Sequence, residues 1–350
     1  MKKTAVVLFN LGGPDRPEAV EPFLFNLFHD PAILRLPEPF RFLLAKLIAH
    51  RRAPIAKEIY AKLGGGSPIL PLTRDQAAAL HSELAAREGT QEFRVFVAMR
   101  HWHPMSEAVA GEVKEWGPDD VVLLPLYPQF STTTSGSSLA AWKRAARRAR
   151  LTAPAFAICC YPIAAGFCRA VVTLLRETLA GERRARVLFS AHGLPKKIVA
   201  AGDPYEWQVN ETVKAVVAEL NVPGLDFAVC YQSRVGPLEW IGPSLDAEIT
   251  RAAADAKPVV VVPIAFVSEH SETLVELDIQ YREIASARGV PAYTRVPTVG
   301  TSPDFIRALA DLVLAARAGE RTMTTESGAR VCPRGFRACP NRADHKSRPA

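Results

Sequence analysis

Short apolar runs alternate with longer amphipathic stretches along most of this chain. Runs of strand length, rich in β-branched and aromatic residues, fall at 4–10 (TAVVLFN), 93–99, 120–126 and 155–160. A second set falls at 185–191, 227–231, 258–266 and 290–296. They lack in–out alternation, which is the pattern of strands covered on both faces, as in parallel sheets. Helical periodicity fills the gaps at roughly 73–88, 105–116, 137–149, 165–180, 204–219, 244–256, 271–287 and 303–318. Such alternation predicts doubly wound α/β architecture. Four strands and then four more predict two Rossmann-like domains, each a four-stranded parallel sheet flanked by helices. The expected boundaries are 1–160 and 161–320, with 165–180 as a bridging helix and 321–350 as a basic tail. Ligands should then bind beyond the carboxyl ends of strands, in the cleft between the halves.

One stretch breaks the alternation. VEPFLFNLFHDPAILRLPEPFRFLLAKLIAH (20–50) is long, apolar and interrupted by proline. Phe40, Leu43, Leu44, Leu47 and Ile48 fit one helical face, and Phe42 falls off it. Phe23, Leu24, Phe25, Leu27 and Phe28 crowd the preceding segment. Core packing is the first expectation. An insertion after the first strand is also where a lid sits. An exposed second face would make it a greasy lip for a flat apolar ligand or a membrane.

Composition changes this picture little. With 48% hydrophobic and 23% charged residues in 350, there is ample material for a core. The net charge of +7 is local: Lys143, Arg144, Arg147, Arg148 and Arg150 crowd 142–150, and the tail from Arg330 is basic. Such runs suit nucleic acid or an anionic membrane. No zinc-finger spacing or RNA-binding signature accompanies them, so a solvated helix face is expected and nucleic acid is not. No apolar run is long enough to span a bilayer, and the first run lacks a signal-peptide pattern. The expected location is the cytoplasm, with peripheral attachment to the inner membrane as the variant that a greasy lip allows. The six cysteines then read as thiols or metal ligands rather than disulfides.

The chemistry-bearing residues cluster after predicted strand ends. NLGGPDRPE (10–18) and LGGGSP (63–68) are glycine-rich turns with neither a dinucleotide fingerprint nor a P-loop ending. In YPQFSTTTSGSS (127–138), the hydroxyls suit a helix cap. Tyr127, Gln129 and Phe130 before them suggest an aromatic wall and an amide that orients a ligand. FSAHGLP (189–195) puts His192 at a strand end. PIAFVSEHSETLVELD (263–278) turns from a strand into an acidic helix through Glu269, His270 and Glu272. Capping and the helix dipole account for one acid or two. Glu272 and Glu276 share a face at i,i+4, where like charges repel, and a proton or cation path is a reason to keep them. His192 and His270 come from equivalent positions in the second strand set. Imidazole plus carboxylate suits Fe²⁺, Co²⁺ or Zn²⁺, and the same groups accept protons near neutral pH.

Taken in order, NLGGP, LGGGSPI, YPQFS…GSS, SAHGLP, YQSRVGPLEWIGP and PIAFVSEHSETLVELD resemble the ferrochelatase family, which inserts Fe²⁺ into a porphyrin at the last step of haem synthesis. The similarity runs to about residue 318. It implies chelatase-type domains with a porphyrin cleft between them, and protoporphyrin IX and Fe²⁺ as substrates. It implies that His192 and Glu272 flank the macrocycle. His192 takes a pyrrole proton or ligates the iron, and Glu272 takes the complementary role. His270 would orient Glu272, and Glu276 would continue the acidic path. Leu11, Arg51, Tyr60, Ser67 and Arg100 would line the pocket mouth or contact propionates, with Tyr127 and Gln129 on the wall. Glu269 stands where many relatives have Asp, and Cys230 where an apolar residue is usual. Monomer and homodimer both stay open.

Cys332 and Cys339 are each followed by proline in an otherwise polar tail. The spacing fits no common zinc pattern, but Cys-Pro occurs at iron–sulfur ligands. Some ferrochelatases hold a [2Fe–2S] cluster with C-terminal cysteines and one upstream. On that resemblance the candidate ligands are Cys160, Cys168, Cys332 and Cys339. The plain alternative is a basic tail with incidental thiols. Rival functions are a coproporphyrin or cobalt chelatase, and a haem- or iron-sensing protein without chemistry.

Overall fold

The computed structural model describes residues 1–341, except 90, 183, 235 and 320. The chain divides into two compact units: 1–160 with 309–331 and residues from 340, and 161–308 with 332–339.

In the first unit, β1 (Lys2–Asn10) leads into α1 (Val20–Phe28), α2 (Phe40–Ala61) and α3 (Ile69–Arg87). Then come β2 (Gln91–Met99), α4 (Ser106–Trp116), β3 (Asp120–Pro125), α5 (Ser135–Ala149) and β4 (Ala155–Cys160). The second unit continues with α6 (Ala165–Leu179), β5 (Arg186–His192), α7 (Lys196–Ala200), α8 (Tyr205–Leu220) and β6 (Phe227–Gln232). It ends with α9 (Leu245–Ala254), β7 (Val259–Pro263), a π-helix (Glu272–Gln280), α10 (Tyr281–Ala287) and β8 (Tyr293–Arg295). Finally α11 (Pro303–Ala318) leads back to the first unit, where β9 (Met323–Thr325) pairs with β4.

Both sheets are parallel, as the unalternated apolar runs require. Their orders are β2-β1-β3-β4-β9 and β6-β5-β7-β8. Ala5 to Phe9 and Val259 to Val262 are buried throughout. The first sheet thus has five strands where the pattern predicts four. The added strand, Met323-Thr-Thr, is too short and polar to be recognised by hydropathy.

Two further departures bear on function. The acidic segment after β7 begins as a π-helix, where sequence periodicity predicts an α-helix over 271–287. In the insertion, α1 packs into the core as expected, with Val20, Phe23 and Leu24 buried, whereas α2 turns its bulky face outward. α2 buries Ala45, Ala49, Ala53 and Tyr60, while Phe40, Phe42, Leu43, Leu47 and Ile55 are exposed. Alanines four residues apart give α2 a smooth stripe that lies close on Val20, Phe23 and Leu24 of α1. The bulky side chains are left on the outside, which makes the greasy face.

The tail does not trail away. Phe336 packs on Trp207, the Ala338 N–H donates to Gly202 O at 3.1 Å, and Cys332 Sγ accepts from Gln208 Nε2 at 3.0 Å.

Candidate active site

The titratable cluster lies at the carboxyl end of the second sheet. His192 closes β5 in register with Gln232, the last residue of β6. Glycine follows His192 because the backbones meet there: a Cβ on Gly193 would lie 2.8 Å from Gln232 O. β7 then delivers the segment that starts the π-helix.

His192 Nδ1 stands 2.9 Å from Glu272 Oε2. A neutral imidazole in this contact carries its proton on Nδ1 and offers the lone pair of Nε2 to a ligand. His270 is buried against Phe266, and its Nδ1 is 3.0 Å from Ser268 O. A carbonyl only accepts, so Nδ1 carries the proton there too. His270 Nε2 lies 3.8 Å from Glu272 Oε2, beyond hydrogen-bond reach. His270 thus stands beside Glu272 without a direct hydrogen bond to it.

Glu276 is held from another side. The Ser233 N–H and Oγ donate to its carboxylate at 2.9 and 2.6 Å, and Gln232 Nε2 does so at 3.0 Å. Ser233 takes a left-handed φ of 58°, unusual for a residue with a Cβ, and this turns both donors onto one carboxylate. Gln232 also donates to Glu272 O at 3.1 Å and accepts from Ser190 Oγ at 2.8 Å. Side chains from β5 and β6 thus supply the carbonyls and carboxylates of the wide helix with partners. Tyr293 of β8 adds another, donating to Leu277 O at 2.8 Å.

The environment drives these groups apart. Burial disfavours the ionised Glu272 carboxyl, but the adjacent His192 outweighs it and holds that carboxyl well below the usual range. Burial likewise disfavours charged His192, and the Glu272 carboxylate reverses the sign, so the imidazole titrates above its ordinary value. The His192 side chain is 42% exposed, and solvent moderates that rise. Glu276 moves the opposite way to Glu272: burial and then the neighbouring Glu272 charge raise it. Two carboxyls four residues apart thus have oppositely shifted proton affinities.

The candidates of the first unit form a different kind of surface. Leu11 follows β1, and its carbonyl accepts the His101 N–H at 2.9 Å. Ser67 N–H donates to Pro14 O at 2.7 Å, and a Cβ on Gly13 would lie 2.6 Å from Ser67. The two glycine-rich turns are therefore pressed against each other. Arg100 donates to Ser137 Oγ at 2.6 Å and pairs with the buried Asp30 at 2.8 Å. Gln129 is buried, and burial pushes the Tyr127 hydroxyl pKa up. Tyr60 packs with Phe23 and Trp102, whereas Arg51 on the same helix is exposed.

A family model for ferrochelatase matches residues 3–317. The chain belongs to the ferrochelatase family. A protein of Pelagibacter ubique named ferrochelatase is 49% identical over 97% of this chain and 98% of its own length. One of Caulobacter vibrioides, with the same name, is 53% identical over 89% and 90%. Among solved structures, SirB from Bacillus subtilis with Fe³⁺ covers 91% of this chain and 96% of its own, with a TM-score of 0.53. At 14% identity it supports the chelatase fold alone. Of the residues singled out by the sequence, the structure puts His192 2.9 Å and His270 3.8 Å from Glu272, with Glu276 further along the same π-helix. Ser190, Gln232 and Ser233 were not picked out. Only the position of the last two at a strand end could have signalled them.

The four cysteines proposed for a cluster are all buried. Among the described residues, however, no three His, Cys, Asp or Glu side chains are grouped to hold a metal ion. The four-thiolate set is therefore not assembled as one group. Cys230 is also buried, with Sγ 3.7 Å from Phe189 O, and burial pushes its thiol pKa up, which suits a packing role. Among the described residues no helix is long and apolar enough to cross a membrane.

Proposed function

We propose that this chain inserts Fe²⁺ into protoporphyrin IX to give protohaem, with His192 and Glu272 at the reacting face. The observation that carries the reading is the 2.9 Å contact between His192 Nδ1 and Glu272, beside a Glu276 whose proton affinity is raised. Metallation replaces two pyrrole N–H protons by Fe²⁺, so each turnover releases two protons and leaves the macrocycle neutral. His192 Nε2 accepts a pyrrole proton. Glu272 fixes the ring through Nδ1 and stabilises the imidazolium that results, which is general-base catalysis. Glu276, with an affinity raised above that of Glu272, relays that proton toward solvent, and the second pyrrole proton leaves by the same route once His192 is neutral again. Glu272, through the oxygen not held by His192, supplies a donor that replaces water on incoming Fe²⁺; in the alternative division of roles His192 Nε2 ligates the iron and Glu272 takes the proton. Leu11, Arg51, Tyr60, Ser67, Arg100, Tyr127 and Gln129 form the porphyrin-binding set. The exposed apolar face of α2 suits the vinyl edge of the substrate or a membrane surface.

The test is anaerobic Fe²⁺ insertion by the purified protein, followed in the visible. Haem formation that is lost in Glu272→Gln or His192→Ala supports the reading. Porphyrin binding without metallation would sink it in favour of a haem- or iron-sensing role. Faster turnover with coproporphyrin or Co²⁺ would reassign the substrate.

A [2Fe–2S] cluster on Cys160, Cys168, Cys332 and Cys339 is a narrower proposal. Four buried thiols, two of them in the tail, support it, as does the Gln208 amide directed at Cys332. The thiols do not form one group, so no step of the reaction is routed through a cluster. Visible charge-transfer bands that disappear in Cys332→Ser would support it, and a colourless, fully active protein would remove it.

A further inference from the structure

The wide helix is gripped from behind by one buried arginine. Arg295 closes β8 and its side chain is only 7% exposed. Its Nε and Nη2 donate to the two oxygens of Asp278 at 2.9 and 2.7 Å, a bidentate fork. Its Nη1 donates to Glu269 Oε1 at 2.9 Å. The same Glu269 oxygen accepts the Thr298 N–H at 2.9 Å.

The two carboxylates bracket the reacting acids. Glu269 lies three residues before the start of the π-helix, and Asp278 lies near its end. Asp278 is two positions beyond Glu276, so it leaves the opposite side of the helix. One guanidinium therefore ties both ends of the segment to β8 while Glu272 and Glu276 face His192 and Ser233. Burial disfavours the charge on Glu269, and Arg295 more than offsets this, so Glu269 stays ionised beside the guanidinium that Asp278 also grips.

We propose that Arg295 is a positioning residue for the reaction: it sets the rotation of the wide helix and, through it, the His192–Glu272 contact. The inference rests on the roles given above to His192 and Glu272. A planar fork is needed, because lysine can satisfy only one of the two carboxylates at a time.

The experiment is an NMR titration of the His192 ring in labelled protein without porphyrin, run beside steady-state kinetics. The charged groups facing that ring are Glu272 and Glu276 from the π-helix; His270, just before it, lies 3.8 Å from Glu272, and Tyr205 of α8 lies against the His192 backbone. In Arg295→Met the His192 titration should move down, and kcat should fall by about 100-fold with the porphyrin KM little changed. Arg295→Lys should restore part of both. Asp278→Asn leaves Arg295 on Glu269, and it should give a smaller shift in the same direction if Arg295→Met does not fold. A parental His192 titration in Arg295→Lys and Asp278→Asn overturns the proposal, as does loss of kcat with an unmoved titration. A moved titration with unchanged kcat upholds the grip and overturns instead the roles assigned to His192 and Glu272.

Discussion

The carboxyl ends of the two sheets carry comparable numbers of polar side chains and treat them in opposite ways. In the first, charge is cancelled on the spot. Arg100 is matched by Asp30 and Ser137, Tyr127 keeps its proton, and burial drives the His101 pKa down to about 3, which holds that ring neutral. In the second, like charges stand together. Glu272 and Glu276 lie one turn apart; a histidine rather than an arginine pairs with Glu272, and only neutral donors hold Glu276. A pair closed by arginine cannot titrate near neutral pH, whereas one closed by histidine can. The same βαβ scaffold thus yields a polar wall of neutralised groups in one unit and, in the other, a pair of carboxyls whose one charged partner is a titratable imidazole.

The largest expected effect comes from removing the second group. Glu272→Gln and His192→Ala should each lower kcat by about 10²–10⁴-fold, as expected for loss of a general base or its partner. Porphyrin binding, read by fluorescence quenching, should persist. Comparable losses from Gln129→Ala would erase the contrast between the sheets.

Next is pH. His192 accepts protons only when neutral, so the rate should climb as pH rises through its raised pKa. In residual turnover by Glu272→Gln that climb should come at lower pH, because burial then acts without the carboxylate. The stability linked to this pair has the matching signs. The His192 share is complete below its unfolded value near 6.5 and is lost as pH rises through the raised one. The Glu272 share is complete above about 4.5 and is lost as pH falls toward its depressed value. Melting temperatures across pH read both limbs, and a flat profile in wild type would contradict the pairing.

Ser233→Ala should cost less. It removes one of the donors to Glu276, worth about 1 kcal/mol, or roughly fivefold in rate. It should also raise the Glu276 pKa further, a change that infrared carboxyl bands would detect. The smallest effect on stability belongs to the first unit. Replacing Phe40, Leu43 and Leu47 together by serine should alter unfolding free energy by at most about 0.5 kcal/mol per site, because all three are exposed. The same variant should bind lipid vesicles more weakly. Unchanged vesicle binding would remove the membrane from the account of α2.

The parallel sheets were legible because burial on both faces leaves an unbroken apolar run, as in Val259 to Val262. The meeting of His192 and Glu272 was legible because both lie at or beyond the carboxyl ends of strands that run side by side in one sheet. The π-helix was not, since an i→i+5 ladder has no composition of its own. It is fixed by partners from β5, β6 and β8 that are distant in sequence. The orientation of α2 was misread because periodicity finds a greasy face without saying whether it points in. The alanines at 45, 49 and 53 carried the better signal. Ser233 and Arg295 had no local signature, since each matters only through residues more than fifteen positions away.

The pairing of Ala157 with Met323 and of Cys160 with Thr325 has a consequence for biogenesis. The outer edge of β4 is covered by residues translated long after it. At about 5–20 residues per second, that edge waits on the order of ten seconds or more with its backbone donors and acceptors unmet on the ribosome. The nascent first unit is therefore an unfinished template for strand addition until residues 323–325 are translated. A premature stop after α11 would leave His192, Glu272 and Glu276 all encoded, yet would release a chain whose first sheet can recruit a neighbour's strand in place of its own.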